Sequence, residues 1–162
     1  MNHPQATLQD CGHIQRCYEL AQAAVDVGNH PFAALLVSGP RVVLEAQNSV
    51  LTEGDHTRHA ELVLLSKAWK LLDRATLGTC TLYSSTEPCL MCAGAIFWAG
   101  IPKVVFGVEG RAMNEAIKRP YRGLPLAGIA AAAGWTLQVV GPVMPDDGLA
   151  IHKAFWPAVA ER

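Results

Sequence analysis

The sequence lacks the features of several large classes of protein. No run of about 20 apolar residues is present, so no membrane-spanning helix is expected. Charged residues make up only 17% of the 162 residues, and the net charge of −1 argues against a chain that binds polyphosphate by charge alone. Internal repeats and low-complexity tracts are absent as well. With 51% hydrophobic residues, residues 1–162 are expected to form one domain.

Cysteine usage and the first residues bear on the cellular compartment. The five cysteines form an odd count, and residues 1–5 show neither the basic region nor the apolar region of a secretory leader. A disulfide framework is therefore not expected, and metal binding or buried thiols are favoured. These observations predict a cytosolic protein.

Helical and strand patterns alternate along the chain and predict an α/β fold. Helical periodicity and boundary residues, with Asp55 as a helix cap, predict helices over residues 13–27, 55–72, 87–98, 124–133 and 148–159. Short apolar runs predict strands over residues 31–38, 41–46, 80–84, 103–108 and 136–140, of which the first two form a hairpin. The expected architecture is a three-layer α-β-α sandwich with a central mixed sheet of about five strands.

Two short motifs carry the chemistry of the chain. His59-Ala60-Glu61 is predicted at the start of the second helix, and Pro88-Cys89-Leu90-Met91-Cys92 at the start of the third. Because Cys89 and Cys92 are three residues apart, their sulfurs project from one face of a helical first turn. Two thiolates and one imidazole suit Zn²⁺ and leave its fourth tetrahedral position open. Helix amino termini also lower the pKa of thiols, which favours the thiolate form.

The spacing of His59 and Glu61 constrains the start of the second helix. In a regular helix the two side chains would diverge by about 200°, so they converge only if His59 lies at the helix mouth. From there, Glu61 could take a proton from zinc-bound water and return it to a leaving group. The motifs therefore predict hydrolytic chemistry. Two alternatives stay open: a closed structural zinc site that includes His56, and a zinc-stabilised interaction module without catalysis.

These motifs resemble those of the zinc-dependent nucleobase deaminases, in which His-x-Glu is followed by Pro-Cys-x-x-Cys. The segment 84–96 and the upstream His30-Pro31-Phe32-Ala33-Ala34 are similar to guanine deaminases and tRNA adenosine deaminases of the cytidine deaminase superfamily. The resemblance runs over about residues 31–108 and implies the cytidine deaminase fold and a cytosolic homodimer. It implies that His59, Cys89 and Cys92 bind zinc. It also implies that Glu61 is the proton shuttle.

The same resemblance implies a set of substrate contacts. Asn48 would bond the ring edge opposite the attacked carbon, and Phe32 would stack on the base. Trp98 matches the tryptophan that closes the guanine deaminase pocket, and Ala60 is included among the expected substrate contacts. On the residues alone, Asn48 could equally cap its loop, Phe32 could be a core residue, and Trp98 could lie in the core or in a dimer interface.

One segment departs from the guanine deaminase pattern. Where those enzymes carry acids that read the exocyclic groups of guanine, this chain has the sequence NEAIKRPYR over residues 114–122, with basic residues in place of the acids. Only a shift in the register of this match would place Glu115 at the position of one of those acids. Lys118, Arg119 and Arg122 are expected in a solvated loop or in contact with an anionic substrate group or a nucleic-acid backbone.

The expected function is the hydrolytic deamination of a small-molecule nucleobase, with guanine or a related free purine as the first choice. Deamination of tRNA adenosine is the runner-up, so a nucleic-acid partner is not expected but stays open. Cytosine-like pyrimidines and triazines are further alternatives.

Overall fold

The computed structural model describes residues 5–160, with side chains as far as Pro157. Residues 1–4, most of the region on which the leader prediction rests, lie outside the described part. Five strands form one mixed sheet in the order β2-β1-β3-β4-β5, which confirms the predicted fold class. The strands are β1 Ala33–Ser38, β2 Arg41–Gln47, β3 Cys80–Thr86, β4 Lys103–Val108 and β5 Gln138–Val140.

The sheet is antiparallel at one side and parallel at the other. β1 pairs antiparallel with both β2 and β3, whereas β3, β4 and β5 run parallel to one another. Parallel neighbours need long crossover connections, and in this chain helices provide them. The helices are α1 Leu8–Asp26, α2 Val50–Glu53, α3 Ala60–Leu71, α4 Arg74–Leu77, α5 Leu90–Ala99, α6 Gly110–Ala116, α7 Leu126–Ala132 and α8 Pro145–Ala160.

Two separate apolar clusters fill the space between the sheet and its helices. One cluster joins α3, α5 and α7 to one face of the sheet, around Leu64, Ile96 and Leu126. The other joins α1 and α8 to the opposite face, around Ile14 and Val105. The predicted three-layer arrangement is therefore confirmed. No helix in the described part of the chain is long and apolar enough to cross a membrane.

Several predicted boundaries were wrong, and local hydrogen bonds explain the differences. α1 begins at Leu8, five residues early, because Thr7 and Asp10 form a reciprocal capping box. Asp55 does not cap α3, since its carboxylate accepts hydrogen bonds from the backbone and hydroxyl of Thr57 instead.

Other differences concern segments with weak signals. The third predicted helix begins at Leu90 rather than near residue 87, so Pro88 precedes the helix instead of lying in its first turn. The helix α6 and the short helices α2 and α4 were not predicted as separate elements.

Candidate active site

Three potential metal ligands meet where the amino termini of α3 and α5 approach each other. The Nδ1 atom of His59 lies 3.6 Å from the Sγ atom of Cys89 and 3.6 Å from that of Cys92. The two sulfurs are 3.7 Å apart. Within the described residues, these three ligand atoms form a group whose members all lie within 4.8 Å of one another.

The backbone at each helix start makes this convergence possible. His59 and Cys89 occupy the N-cap positions of α3 and α5, with extended φ/ψ angles of −64°/148° and −72°/174°. Neither side chain makes a capping hydrogen bond, so both are available as ligands. Cys92 follows as the third residue of α5. The predicted placement of His59 at the helix mouth is thereby seen in the structure.

The spacing of the three atoms fits a tetrahedral zinc ion. Bonds of about 2.3 Å to sulfur and about 2.0 Å to nitrogen imply sulfur–sulfur and sulfur–nitrogen separations of about 3.8 and about 3.5 Å. The observed separations of 3.7 and 3.6 Å agree with these values to within about 0.1 Å. His56 is exposed and does not join the group, so the structure does not support the closed four-ligand site.

The surroundings of the two cysteines shift their pKa values in opposite directions and favour the thiolate form of Cys89. The sulfurs of Cys89 and Cys92 share a hydrogen bond, and this bond, together with His59, lowers the pKa of Cys89 to about 4 against the opposing effect of burial. The same hydrogen bond and burial raise the pKa of Cys92. The hydrogen bond with Cys89 raises the pKa of His59.

Glu61 lies beside this group and is almost completely buried, with 6% of its surface exposed. Its Oε2 atom is 3.5 Å from the sulfur of Cys92, and its Oε1 atom accepts a hydrogen bond from the Ser84 hydroxyl at 2.9 Å. Burial raises the pKa of Glu61, because the charged carboxylate is removed from water. A buried carboxylate next to a three-ligand metal site can exchange protons with a bound water molecule.

A cavity of about 550 Å³ borders the metal-ligand group and Glu61. Phe32, His59, Glu61 and Cys89 contribute to its lining, so four of the predicted site residues share one cavity. Its other walls come from the start of α5, from α6 and from the segment between α6 and α7, through Met91, Met113, Asn114, Tyr121 and Arg122. A volume of this size suits a small organic substrate.

α8 supports one wall of the cavity through a buried histidine. His152 packs against the Phe32 ring at a centroid distance of 5.2 Å, and its Nε2 atom lies 3.0 Å from the hydroxyl of Thr86. The indole N–H group of Trp156 lies 3.2 Å from the His152 Nδ1 atom. Because an indole nitrogen can only donate, Nδ1 accepts and Nε2 carries the proton that is donated to Thr86.

Three predicted substrate contacts lie outside the cavity lining. The buried Asn48 accepts a hydrogen bond from the backbone of Val50 at 3.1 Å, and Ala60, the first residue of α3, packs in the apolar core. Trp98 is 76% exposed and stacks edge-on against Phe97. The substrate contacts predicted for Phe32, Asn48, Ala60 and Trp98 remain predictions.

The basic segment divides into parts with different surroundings. Arg122 lines the cavity, whereas Lys118 and Glu115 do not. The guanidinium of Arg119 lies 4.6 Å from the centre of the Trp156 ring, in cation–π geometry. Glu115, which only a shift in register would bring into the site, does not line the cavity, whereas its neighbour Asn114 does.

Four residues around the site were not predicted from the sequence. Ser84 and Thr86 alternate along β3 on the face that holds Leu82, so strand periodicity carried a weak signal for them. His152 and Trp156 carried none, because their contacts with Thr86 and Phe32 join residues far apart in the chain.

Comparisons with known proteins agree with this geometry. The family model for the cytidine and deoxycytidylate deaminase zinc-binding region matches residues 8–108. The probable cytosine deaminase of Schizosaccharomyces pombe is 35% identical over 161 residues, covering 96% of this chain and 98% of that protein. The guanine deaminase of Bacillus subtilis is 45% identical over 94 residues, which is 57% of this chain and 60% of that protein. The solved guanine deaminase of Nitrosomonas europaea is 25% identical, with a TM-score of 0.71 and coverage of 94% of this chain and 86% of that chain.

The mixed sheet, the His-Cys-Cys group and the neighbouring glutamate together define a zinc-dependent hydrolytic deaminase. The family match covers more than half of the chain, and one relative aligns over nearly its whole length. The protein belongs to the cytidine and deoxycytidylate deaminase zinc-binding family.

Proposed function

We propose that this protein removes the amino group of a free nucleobase by hydrolysis, with guanine as the first substrate to test. The observation that carries the proposal is the placement of Glu61. Its carboxylate lies 3.5 Å from Cys92, next to a three-ligand group that borders a cavity of about 550 Å³. A non-catalytic zinc module has no use for a buried carboxylate at this place.

Glu61 is the catalytic residue in this proposal because it handles the protons. A zinc ion held by His59, Cys89 and Cys92 would supply a Lewis acid that lowers the pKa of a bound water to about 7. Water adds at the amino-bearing carbon, the carbon–nitrogen bond breaks, and ammonia leaves. Glu61 accepts one proton of the water and delivers it to the ring nitrogen, and it then accepts the remaining proton of the added hydroxyl group and delivers it to the departing amino group.

Ser84 keeps the Glu61 carboxyl oriented through both of its protonation states. The Ser84 oxygen is 2.9 Å from Glu61 Oε1 and 2.7 Å from the carbonyl oxygen of Thr86. The hydroxyl has one proton, which it donates to Glu61 when that residue is ionised. When Glu61 is protonated, Ser84 accepts from it and donates to the Thr86 carbonyl.

The test is ammonia release by the zinc-loaded protein from guanine, cytosine, free adenosine and an RNA stem-loop containing adenosine, with and without a chelator. We expect guanine turnover that a chelator abolishes. Glu61→Gln should lower turnover by about 10²–10⁴-fold, the usual scale for loss of a general acid/base, while bound zinc is retained. Absence of ammonia from every compound, or full activity of Glu61→Gln, would contradict the proposal.

Cytosine is a second candidate substrate, and two observations favour it. The S. pombe relative named as a probable cytosine deaminase aligns over 98% of its own length, whereas the B. subtilis guanine deaminase aligns over 60%. Glu115, the one acid in segment 114–122, lies outside the cavity lining. A higher kcat/KM for cytosine than for guanine would select this alternative and leave the assigned chemistry unchanged.

We also propose a homodimer formed by the exposed face of α3 and α5. Trp69 and Trp98 are 56% and 76% exposed, and both border an apolar groove between these helices. Such a patch is typical of a surface that a partner covers. The cytosolic location remains a prediction from the sequence.

A further inference from the structure

The segment between α6 and α7, residues 117–125, forms one wall of the substrate cavity. Both helices that hold it begin without a cap of their own. The N-cap residues Glu109 and Pro125 make no side-chain capping hydrogen bond. The first amides of a helix have no partner within the helix, so a buried helix start needs an acceptor from elsewhere.

Glu87 supplies an acceptor to both helix starts. Its Oε2 atom accepts from the backbone N–H group of Gly110 at 3.1 Å, and its Oε1 atom accepts from that of Leu126 at 2.8 Å. Gly110 and Leu126 are the first residues of α6 and α7. The backbone N–H group of Glu87 donates to the carbonyl oxygen of Val108 at 2.8 Å, which anchors Glu87 to the end of β4.

The aromatic ring within the segment fits closely between two glycines. A Cβ atom at Gly110 would lie 3.2 Å from the ring of Tyr121, and one at Gly123 would lie 2.9 Å from it. The bend that carries Tyr121 and Arg122 to the cavity thus depends on the position of the α6 start, which Glu87 holds.

We propose that Glu87 is a positioning residue for substrate selection. By accepting from both helix starts it sets the two ends of segment 117–125, and therefore the places of Tyr121 and Arg122 against the bound base. The inference rests on the proposed function and adds Glu87, which itself lines the cavity, as a group that selects the substrate by holding the wall. Its carboxylate oxygens are both used by backbone amides, so it contributes through the wall and not through proton transfer.

The experiment compares Glu87→Ala and Glu87→Gln with the control Glu109→Gln, all as zinc-loaded full chains. Glu109 is the neighbouring acid and makes no capping bond. The measurements are kcat and KM for guanine and cytosine, bound zinc, and amide hydrogen exchange over residues 110–126.

For Glu87→Ala we expect KM to rise roughly tenfold, since two charge-assisted hydrogen bonds are lost and only part of that loss reaches the substrate. The ratio of kcat/KM between the two bases should fall, exchange over 110–126 should rise, and kcat and zinc content should stay near wild type. Glu87→Gln keeps one acceptor oxygen and should lie between Glu87→Ala and wild type. Glu109→Gln should match wild type.

Unchanged KM and selectivity in both Glu87 variants would overturn the positioning role, as would a fall in kcat and zinc content at constant KM. Unchanged exchange would overturn it as well, and this readout needs no turnover. A wild-type protein that deaminates none of the bases would instead overturn the proposed function, and the selective role with it.

Discussion

Acidification should weaken the fold through His152, whose neutral form holds α8 against the active site. The side chain is 2% exposed, accepts from Trp156 at one ring nitrogen and lies 3.0 Å from the Thr86 hydroxyl at the other. A proton added at Nδ1 would displace the hydrogen bond from Trp156, which has no acceptor to offer. Protonation of His152 is therefore opposed both by burial and by geometry.

The size of the effect follows from the shift in pKa. Burial lowers the pKa of His152 from 6.5 to about 4. Between these values the unfolded chain binds a proton that the folded chain does not, so the stability is fully present above pH 6.5 and is lost as the pH falls towards 4. The loss should be about 2 kcal/mol between pH 7 and pH 5, and about 3 kcal/mol in total.

The assay is denaturant unfolding of the zinc-loaded protein at pH 7 and pH 5, for wild type and His152→Gln. Glutamine does not titrate, and every other ionisable group is shared by the two proteins. The wild type should therefore lose about 2 kcal/mol more than the variant between the two pH values. His56→Gln, at an exposed position, is the control and should show the wild-type dependence. An equal loss in wild type and His152→Gln would refute the reasoning.

Two further predictions concern catalysis and assembly. Ser84→Ala should lower kcat by roughly tenfold to a hundredfold with KM and zinc content unchanged, because a hydrogen bond to the charged Glu61 is lost. The control is Ser85→Ala, since the Ser85 hydroxyl accepts from the backbone of Ala33 instead. Equal kcat values for the two variants would contradict the role of Ser84. Trp98→Lys should raise the dimer dissociation constant by roughly tenfold or more in analytical ultracentrifugation, since it places a charge in the proposed interface. An unchanged dissociation constant would show that the dimer forms through another surface. A monomeric wild type would exclude the dimer.

The metal group and its glutamate could be predicted from the sequence because their geometry is local. A Cys-x-x-Cys pair at the start of a helix brings its sulfurs together in any fold that contains the helix. The spacing of His59 and Glu61 required His59 to precede the first turn, and the structure places it at the N-cap of α3. The fold class was predictable for a related reason, since alternating helical and strand patterns leave few ways to cover a sheet.

Boundaries and the walls of the cavity could not be predicted in the same way. Asp55 had the character of a helix cap, yet its carboxylate bonds to Thr57, a choice between two acceptable local partners. Glu115 required only a shift in register to enter the site, but α6 places its neighbour Asn114 in the lining instead. Such outcomes depend on small differences between competing hydrogen bonds and packing arrangements.

The sequence by itself determined that the chain carries an α/β sandwich and a three-ligand metal motif with a carboxylate at its side. The tertiary structure alone decided which distant groups support that motif: Ser84 behind Glu61, His152 behind Thr86, and Glu87 between α6 and α7. The physical reason is the range of the interactions. Backbone geometry dictates contacts within a helical turn, whereas contacts between residues as far apart as Thr86 and His152 exist only after the sheet and both helical layers have packed.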